Sequence, residues 1–202
     1  VAEAFSANTA RLAIVGDNPM LLANEDPAKV GRASKANSLA YQPALEKIAG
    51  FDINWNILAY PSAAWARQVF PDDAEEVAVG KLAEAIFSAS RIDQADPVAA
   101  WSAHNAALRA RRDWLNGQRF ASLHFTGPGT DLVVGLADGH DWQGGASPAK
   151  NGIVCNPNIP TEEVFTTPHA RRVEGHVAST KPLSYQGSLI DGIQVRFEGG
   201  QI

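Results

Sequence analysis

Apolar and polar positions alternate with two different periods along this chain, and the change of period divides it. Residues 11 to 15 (Arg-Leu-Ala-Ile-Val) form an apolar run closed by Gly16-Asp17-Asn18-Pro19, which predicts a short buried strand entering a turn. Asp26 followed by Pro27 gives an N-cap with proline in the first turn, opening a helix that carries Val30, Ala33, Asn37 and Tyr41 at helical spacing. Pro43 lacks an N–H and crowds the preceding turn, so it is expected to kink or divide this helix. The second piece, Ala44 to Ala49, then ends at Gly50 as a left-handed cap. Asn54 to Tyr60 reads as a strand stopped by Pro61. Two longer helices follow. Asp72 and Asp73 precede a stripe of Val79, Leu82, Ile86 and Phe87, and Asp96-Pro97 caps a helix bearing Trp101, His104, Leu108 and Leu115. Strand, helix, strand, helix is the rhythm of an α/β layer with a parallel sheet.

From about residue 119 the period shortens to two. Phe120 to Thr126, the turn Gly127-Pro128-Gly129, and Asp131 to Leu136 predict a hairpin, while Val173 to Thr180 and Ile193 to Phe197 alternate as strands. Gly199-Gly200 predicts a tight turn into a returning strand. The expected class is therefore α/β, α+β overall: an α/β portion over residues 1–118, then a largely antiparallel β-rich portion over residues 119–202.

Composition narrows the functional classes. Hydrophobic residues make up 45% of the 202 and charged residues 19%, with no apolar run of bilayer-spanning length, so a globular protein is expected and membrane insertion is not. The net charge of -5, with basic clusters only at Arg109, Arg111, Arg112 and at Arg171, Arg172, disfavours nucleic acid as a partner. Cys155 is the only cysteine, which removes internal disulfides and cysteine-built metal sites and suits a reducing, cytoplasmic setting. The chain begins at Val1 with no basic-then-apolar leader and stops as abruptly at Ile202. It reads as cut at both ends.

The segment that looks built for chemistry is Asn158 to His169, where Glu162 and Glu163 stand between Pro160 and Pro168. The prolines bias Ile159 and Thr167 away from helix, so the run is expected to be extended. Successive side chains of an extended chain point to opposite faces, so at most one of the two glutamates can enter a given site. The other faces solvent or supports from behind. Elsewhere the structural reading prevails. His104 reads as a hydrogen-bonded core imidazole, and His124 as one face of a hairpin. His176 reads as surface decoration, and His140, in Asp138-Gly-His-Asp-Trp142, as a structural residue; His169 carries no ligand spacing. No His-Glu-x-x-His helix is present. Thr126-Gly-Pro-Gly-Thr130 lacks the Lys-Ser or Lys-Thr and the helix that an anion loop needs. Ser147 and Ser184 lack a nucleophile elbow, Cys155 has no adjacent cation, and Lys150 and Lys181 read as loop charges.

The order of short motifs supplies what spacing does not. Gly127-Pro-Gly-Thr-Asp-Leu132, Gly135-Leu136, His140, Trp142, Gly144-Gly145, Cys155-Asn-Pro-Asn158 and Pro160-Thr-Glu-Glu-Val-Phe-Thr166 closely resemble the thermophilic aminopeptidases, metallopeptidases of the aminopeptidase T and aminopeptidase S type. The likeness extends through Arg172-Val-Glu-Gly175, Lys181-Pro-Leu183 and Gly187, and back through Asn54-Trp55, Trp65-Ala66 and Asp96-Pro97 to Asn105. It covers nearly the whole chain. The resemblance implies two divalent metal ions, zinc or cobalt, and removal of amino-terminal residues from peptides with a free N-terminus by a homodimeric enzyme. It makes 1–118 the later part of an amino-terminal domain and 119–202 the start of a catalytic domain. It matches one metal ligand, Glu163, and places the remaining glutamate and histidine ligands, and a tyrosine that assists catalysis, beyond Ile202. One carboxylate cannot hold a divalent ion against water, so the chain by itself is expected to be inactive. The alternative is a non-catalytic binding or dimerisation module derived from the same family.

Overall fold

The computed structural model describes every residue except Ala7, Gln186 and Gly187, together with the side chains of Ser184 and Ser188. Gly187, part of the resemblance above, lies outside the described residues. A short 3-10 turn, Ala2–Ala4, precedes β1 (Ala10–Val15), α1 (Pro27–Ala49), β2 (Asn54–Ala59), α2 (Ala63–Val69), α3 (Glu75–Ala89) and α4 (Pro97–Gln118). Strands β3 (Ser122–Gly127), β4 (Thr130–Leu136), β5 (Gln143–Gly144), β6 (Ser147–Pro148) and β7 (Val154–Cys155) follow. After them come β8 (Asn158–Ile159), β9 (Val164–Phe165), β10 (Pro168–Ala178), β11 (Leu183–Tyr185), β12 (Ser188–Ile190) and β13 (Gln194–Phe197). The chain is α+β, with two strands interleaved among the helices up to Gln118 and only strands after them.

Two compact units share these elements. The first is made by Val1–Asn105 with Gly145–Glu162; the second by Ala106–Gly144, Glu163–Tyr185 and Leu189–Ile202. The divisions fall inside α4 and between the two adjacent glutamates.

In the first unit β1 pairs with β2 and β2 with β8, all parallel, in the order β1-β2-β8. The parallel sheet expected from the strand and helix rhythm is present, and its third strand returns from far along the chain. Ala66, Ala78, Leu82 and Ile86 form the buried cluster, against which Ala59, Trp65, Phe70 and Val79 pack. Ala78, Leu82 and Ile86 recur every four residues, so one stripe of α3 faces inward. Phe87, expected on that stripe, is exposed because it lies a further hundred degrees round the helix. Helix α2, which has no counterpart in the sequence reading, starts where the Ser62 hydroxyl accepts from the Trp65 N–H at 3.2 Å.

Two proline-led helix starts follow local chemistry closely, whereas α3 starts after Ala74 with no side-chain cap from Asp72 or Asp73. The Asp26 carboxylate accepts from Ala28 N–H at 2.8 Å and that of Asp96 from Ala99 N–H at 2.9 Å, each before the proline that opens the helix. Helix α1 then departs from expectation. It runs undivided through Pro43, whose exposed position leaves the freed Leu39 carbonyl on the water side. Ala33 and Asn37, expected on its apolar stripe, are exposed, and Ala44 and Ile48 carry the buried face. Gly50 is not left-handed: its φ is -76°, and Phe51 takes the positive φ of 53° instead. Asp52 N–H donates to the Lys47 carbonyl and Phe51 N–H to that of Ile48, the paired bonds of a Schellman ending with Phe51 at the left-handed position. Glycine at 50 serves space, since a Cβ there would stand 2.9 Å from the Glu46 carbonyl oxygen.

In the second unit the order β13-β10-β4-β3 is antiparallel throughout. Strands β3 and β4 meet at Gly127 and Thr130 around Pro128-Gly129, with Gly129 at φ 68°, so the Gly-Pro-Gly segment is the hairpin turn that its composition predicts. Gly175 lies opposite Leu132 so closely that a Cβ would collide with the Asp131 carbonyl. No helix among the described residues is long and apolar enough to cross a membrane.

Candidate functional site

The run from Asn158 to Phe165 is tied at both ends by backbone pairing. Asn158 and Ile159 pair with Ile57 and Leu58, the Ile57 N–H donates to the Pro157 carbonyl at 2.8 Å, and the Asn56 amide donates to the Asn156 carbonyl at 2.6 Å. Past the glutamates, Val164 and Phe165 pair with Gly144 and Gln143. A Cβ on Gly144 would stand 2.8 Å from both the Glu163 carbonyl oxygen and Val164 Cγ1, so glycine is what lets β9 approach. The Thr166 hydroxyl donates to the Asp141 carbonyl at 3.0 Å, and the Ala137 N–H to that of Thr167 at 3.1 Å. The extended course is borne out at these strands, while Pro160 to Glu163 have no regular structure, and the Ile159-Pro160 bond is cis.

The two carboxylates differ in their surroundings. Arg91 Nη1 stands 2.7 Å from Glu162 Oε1, and His104 Nε2 lies 3.6 Å from Glu162 Oε2. Arg91 Nη2 also reaches His104 Nδ1 at 3.2 Å, and its guanidinium sits 5.4 Å from the centre of the Trp101 ring. A guanidinium offers only donors, so Nδ1 accepts and the His104 proton sits on Nε2. That N–H donates to the Thr161 carbonyl at 2.6 Å. The Trp101 indole N–H holds the Ser90 carbonyl at 2.9 Å, and its ring meets His104 edge-on with centroids 5.6 Å apart. Arg91 itself is left-handed, φ 59°, at the end of α3. Its own N–H donates to the Ser88 carbonyl and the following N–H of Ile92 to that of Phe87.

Both glutamates are exposed, and the Glu163 carboxylate, unlike that of Glu162, has no hydrogen bond or ion pair with a described residue. Among the described residues no three of His, Cys, Asp and Glu stand close enough together to hold a metal ion. Glu163 fits the role of one oxygen donor in a larger set; the described residues do not complete such a set.

The remaining sequence candidates lie apart from this segment or meet it through other groups. His104 is the hydrogen-bonded imidazole its helical position predicts. His140 is buried, with Nδ1 2.8 Å from the Ala137 carbonyl oxygen. His124 pairs with Asp131 across the hairpin at 2.7 Å, and that hydrogen bond, then the charges of His124 and His176, holds the Asp131 carboxyl below its ordinary value. His169 Nδ1 accepts from Arg171 N–H, and His176 is exposed. Lys150 pairs with Asp52 at 2.6 Å, Lys181 is exposed and Cys155 is a free thiol. Arg172 reaches Asp138 at 2.6 Å, and the bond, reinforced by the guanidinium charge, lowers the Asp138 carboxyl and raises Arg172. Sequence reasoning missed Arg91 altogether. It sits just past a helix end, and nothing in its neighbours announces a partner on a distant segment.

Comparison with known proteins now bears on this geometry. The profile of the thermophilic metalloprotease (M29) family matches residues 1–202. Aminopeptidase T of Thermus thermophilus is 57% identical over 200 residues, covering 99% of this chain and 49% of that protein. Aminopeptidase T of Thermus aquaticus is 54% identical over the same share of each chain, and aminopeptidase 2 of Geobacillus stearothermophilus 43% over 99% and 48%. The solved structure of wild-type AmpT from Thermus thermophilus matches with a TM-score of 0.88 at 56% identity, over 98% of this chain and 48% of that one. The chain thus spans about half the length of the curated relatives it matches. With the motifs in order, the fold reproduced and every residue inside the family profile, the chain belongs to the thermophilic metalloprotease (M29) family.

Proposed function

We propose that these residues are part of a metal-dependent aminopeptidase that removes N-terminal residues from peptides, and that Glu163 is one of its metal ligands. The observation that carries the activity is the match over residues 1–202 to a metalloprotease family whose relatives bear the name aminopeptidase. For Glu163 the support is local: Arg91 holds the neighbouring carboxylate, and that of Glu163 is exposed and unengaged. When bound, two divalent ions, zinc or cobalt, would polarise the scissile carbonyl and acidify a water. Glu163 supplies a negatively charged oxygen to that set, and the strand pairing of Val164 with Gly144 fixes the backbone beside it. The remaining ligands lie outside these 202 residues, and we expect the isolated chain to be inactive. A homodimeric, cytoplasmic enzyme, with its catalytic domain beginning near residue 119, completes the reading.

The test uses the complete protein. Glu163→Gln should lower metal content per chain and cut peptide cleavage by about 100-fold or more, while Glu162→Gln, which keeps an acceptor for Arg91, should lose far less. Equal losses would contradict the assignment. The isolated 202-residue chain should retain no zinc through dialysis and release no amino acid from a peptide with a free N-terminus; stoichiometric zinc there would show that these residues hold a complete site.

A further inference from the structure

We propose that His140 Nε2 and the Trp142 indole N–H share one buried water molecule, a bound-water site in the loop from Ala137 to Gly144. The loop and the partners named below all belong to the second unit. His140 is 8% and Trp142 7% exposed, and both His140 Nε2 and Trp142 Nε1 are shielded from solvent without a hydrogen bond to any described residue. The tautomer fixes what Nε2 can do. Nδ1 stands 2.8 Å from the Ala137 carbonyl oxygen, which can only accept, so the neutral ring carries its proton on Nδ1 and Nε2 presents a lone pair. The indole Nε1 can only donate. Two residues of one loop therefore bury one acceptor and one donor, each costly to leave without a partner.

The other polar groups around these rings are engaged. Asp138 pairs with Arg172, Asp141 accepts from the Gln143 amide, and the Trp142 main chain exchanges both of its hydrogen bonds with the Asn116 amide. The Thr166 hydroxyl holds the Asp141 carbonyl, and the His140 N–H returns to that of Ala137. The backbone on either side of the two rings is thus already tied, and what remains to be satisfied is one lone pair and one N–H. Chemistry selects the guest. A cation would suit the lone pair and oppose the indole N–H, while an anion would suit the indole and oppose the lone pair. An O–H group serves both, donating to Nε2 and accepting from Nε1, and water is the O–H group small enough to lie where solvent does not reach. Leftover polar groups of this kind are what buried water satisfies in folded proteins. Gln143 and Gly144, at the end of the same loop, pair with Phe165 and Val164, so the water braces the loop from which that pairing springs.

High-resolution crystals of the complete protein test the site directly. We expect one ordered water about 2.6–3.2 Å from both His140 Nε2 and Trp142 Nε1. A protein group bonded to either atom in its place, two separate waters, or none would overturn the proposal. A double-mutant cycle in thermal melts of the complete protein gives a second measure. Trp142→Phe keeps an aromatic ring and removes the N–H, and His140→Asn keeps a donor for the Ala137 carbonyl and removes Nε2. Either change alone should lower the melting temperature by about 1–4 °C, and both together by little more than the larger of the two, because each breaks the same bridge. Additive losses, or no loss from either change, would show that the two atoms share no partner and would overturn the proposal as well.

Discussion

A carboxylate already paired with a guanidinium has one oxygen and part of its charge engaged before any metal arrives, and Glu162 is in that position, 2.7 Å from Arg91. Glu163 has no such pair with a described residue. The sequence made half of this legible: proline on either side argued for an extended course in which only one glutamate can enter a site. Which one was carried by resemblance, because Arg91 approaches from a distant segment and leaves no local mark. Close approach decides a second residue. Gly144→Ala would drive a Cβ to 2.8 Å from the Glu163 carbonyl oxygen and should destabilise the chain by about 1–3 kcal/mol in urea unfolding. Charge decides a third. The Arg172 hydrogen bond, then its charge, holds the Asp138 carboxyl below the ordinary value. A depressed carboxyl contributes stability above its unfolded value and loses it as pH falls through the folded one. Both side chains are solvent-exposed, so the contribution is small and salt-sensitive. In Arg172→Ala the Asp138 titration midpoint, followed by carboxyl NMR shifts, should move up to the usual aspartate range; an unmoved midpoint would remove Arg172 as the cause.

Helix starts and helix ends were unequally readable. Asp26-Pro27 and Asp96-Pro97 announce their helices because the cap and the helix it serves are adjacent in sequence. Left-handed ends are usually marked by glycine, yet here the positive φ falls on Phe51, Arg91 and Arg119. Each position carries a side chain at a backbone cost of roughly 1–2 kcal/mol. Phe51 offsets part of it against the Trp55 ring, 5.8 Å away, and Arg91 through its network around Glu162. Arg119 is exposed and makes no contact of this kind. Arg119→Gly should therefore raise stability by about 1 kcal/mol in a thermal melt. A lower melting temperature would mean that Arg119 has a compensating role of its own. Pro43 fits the same division: the residue type predicted a break, and exposure of that side of α1 removed the need for one.

Across the whole chain, the parallel sheet followed from the strand and helix rhythm and the antiparallel one from the change to an alternating period. The membership of β8 in the first sheet did not, since a strand of two residues carries no period. Its return brings Gly145–Glu162 into the same unit as Val1–Asn105. Burial separates the chain's apolar residues by consequence: Leu108→Ala, at a fully buried position, should cost about 2–5 kcal/mol, and Leu12→Ser, 61% exposed, within about 0.5 kcal/mol in the same 202-residue chain. Equal costs would place Leu12 in a core that this fold does not show. Of the chemistry, the sequence offered one proposed ligand, and the described residues bring no three metal-binding side chains together. The most direct measurement is the anomalous diffraction of zinc in crystals of the complete protein. The account predicts a zinc ion about 2.0–2.2 Å from a Glu163 carboxylate oxygen, with Glu162 still on Arg91. Zinc bound with Glu163 out of reach, or bound by Glu162 in its place, would contradict it.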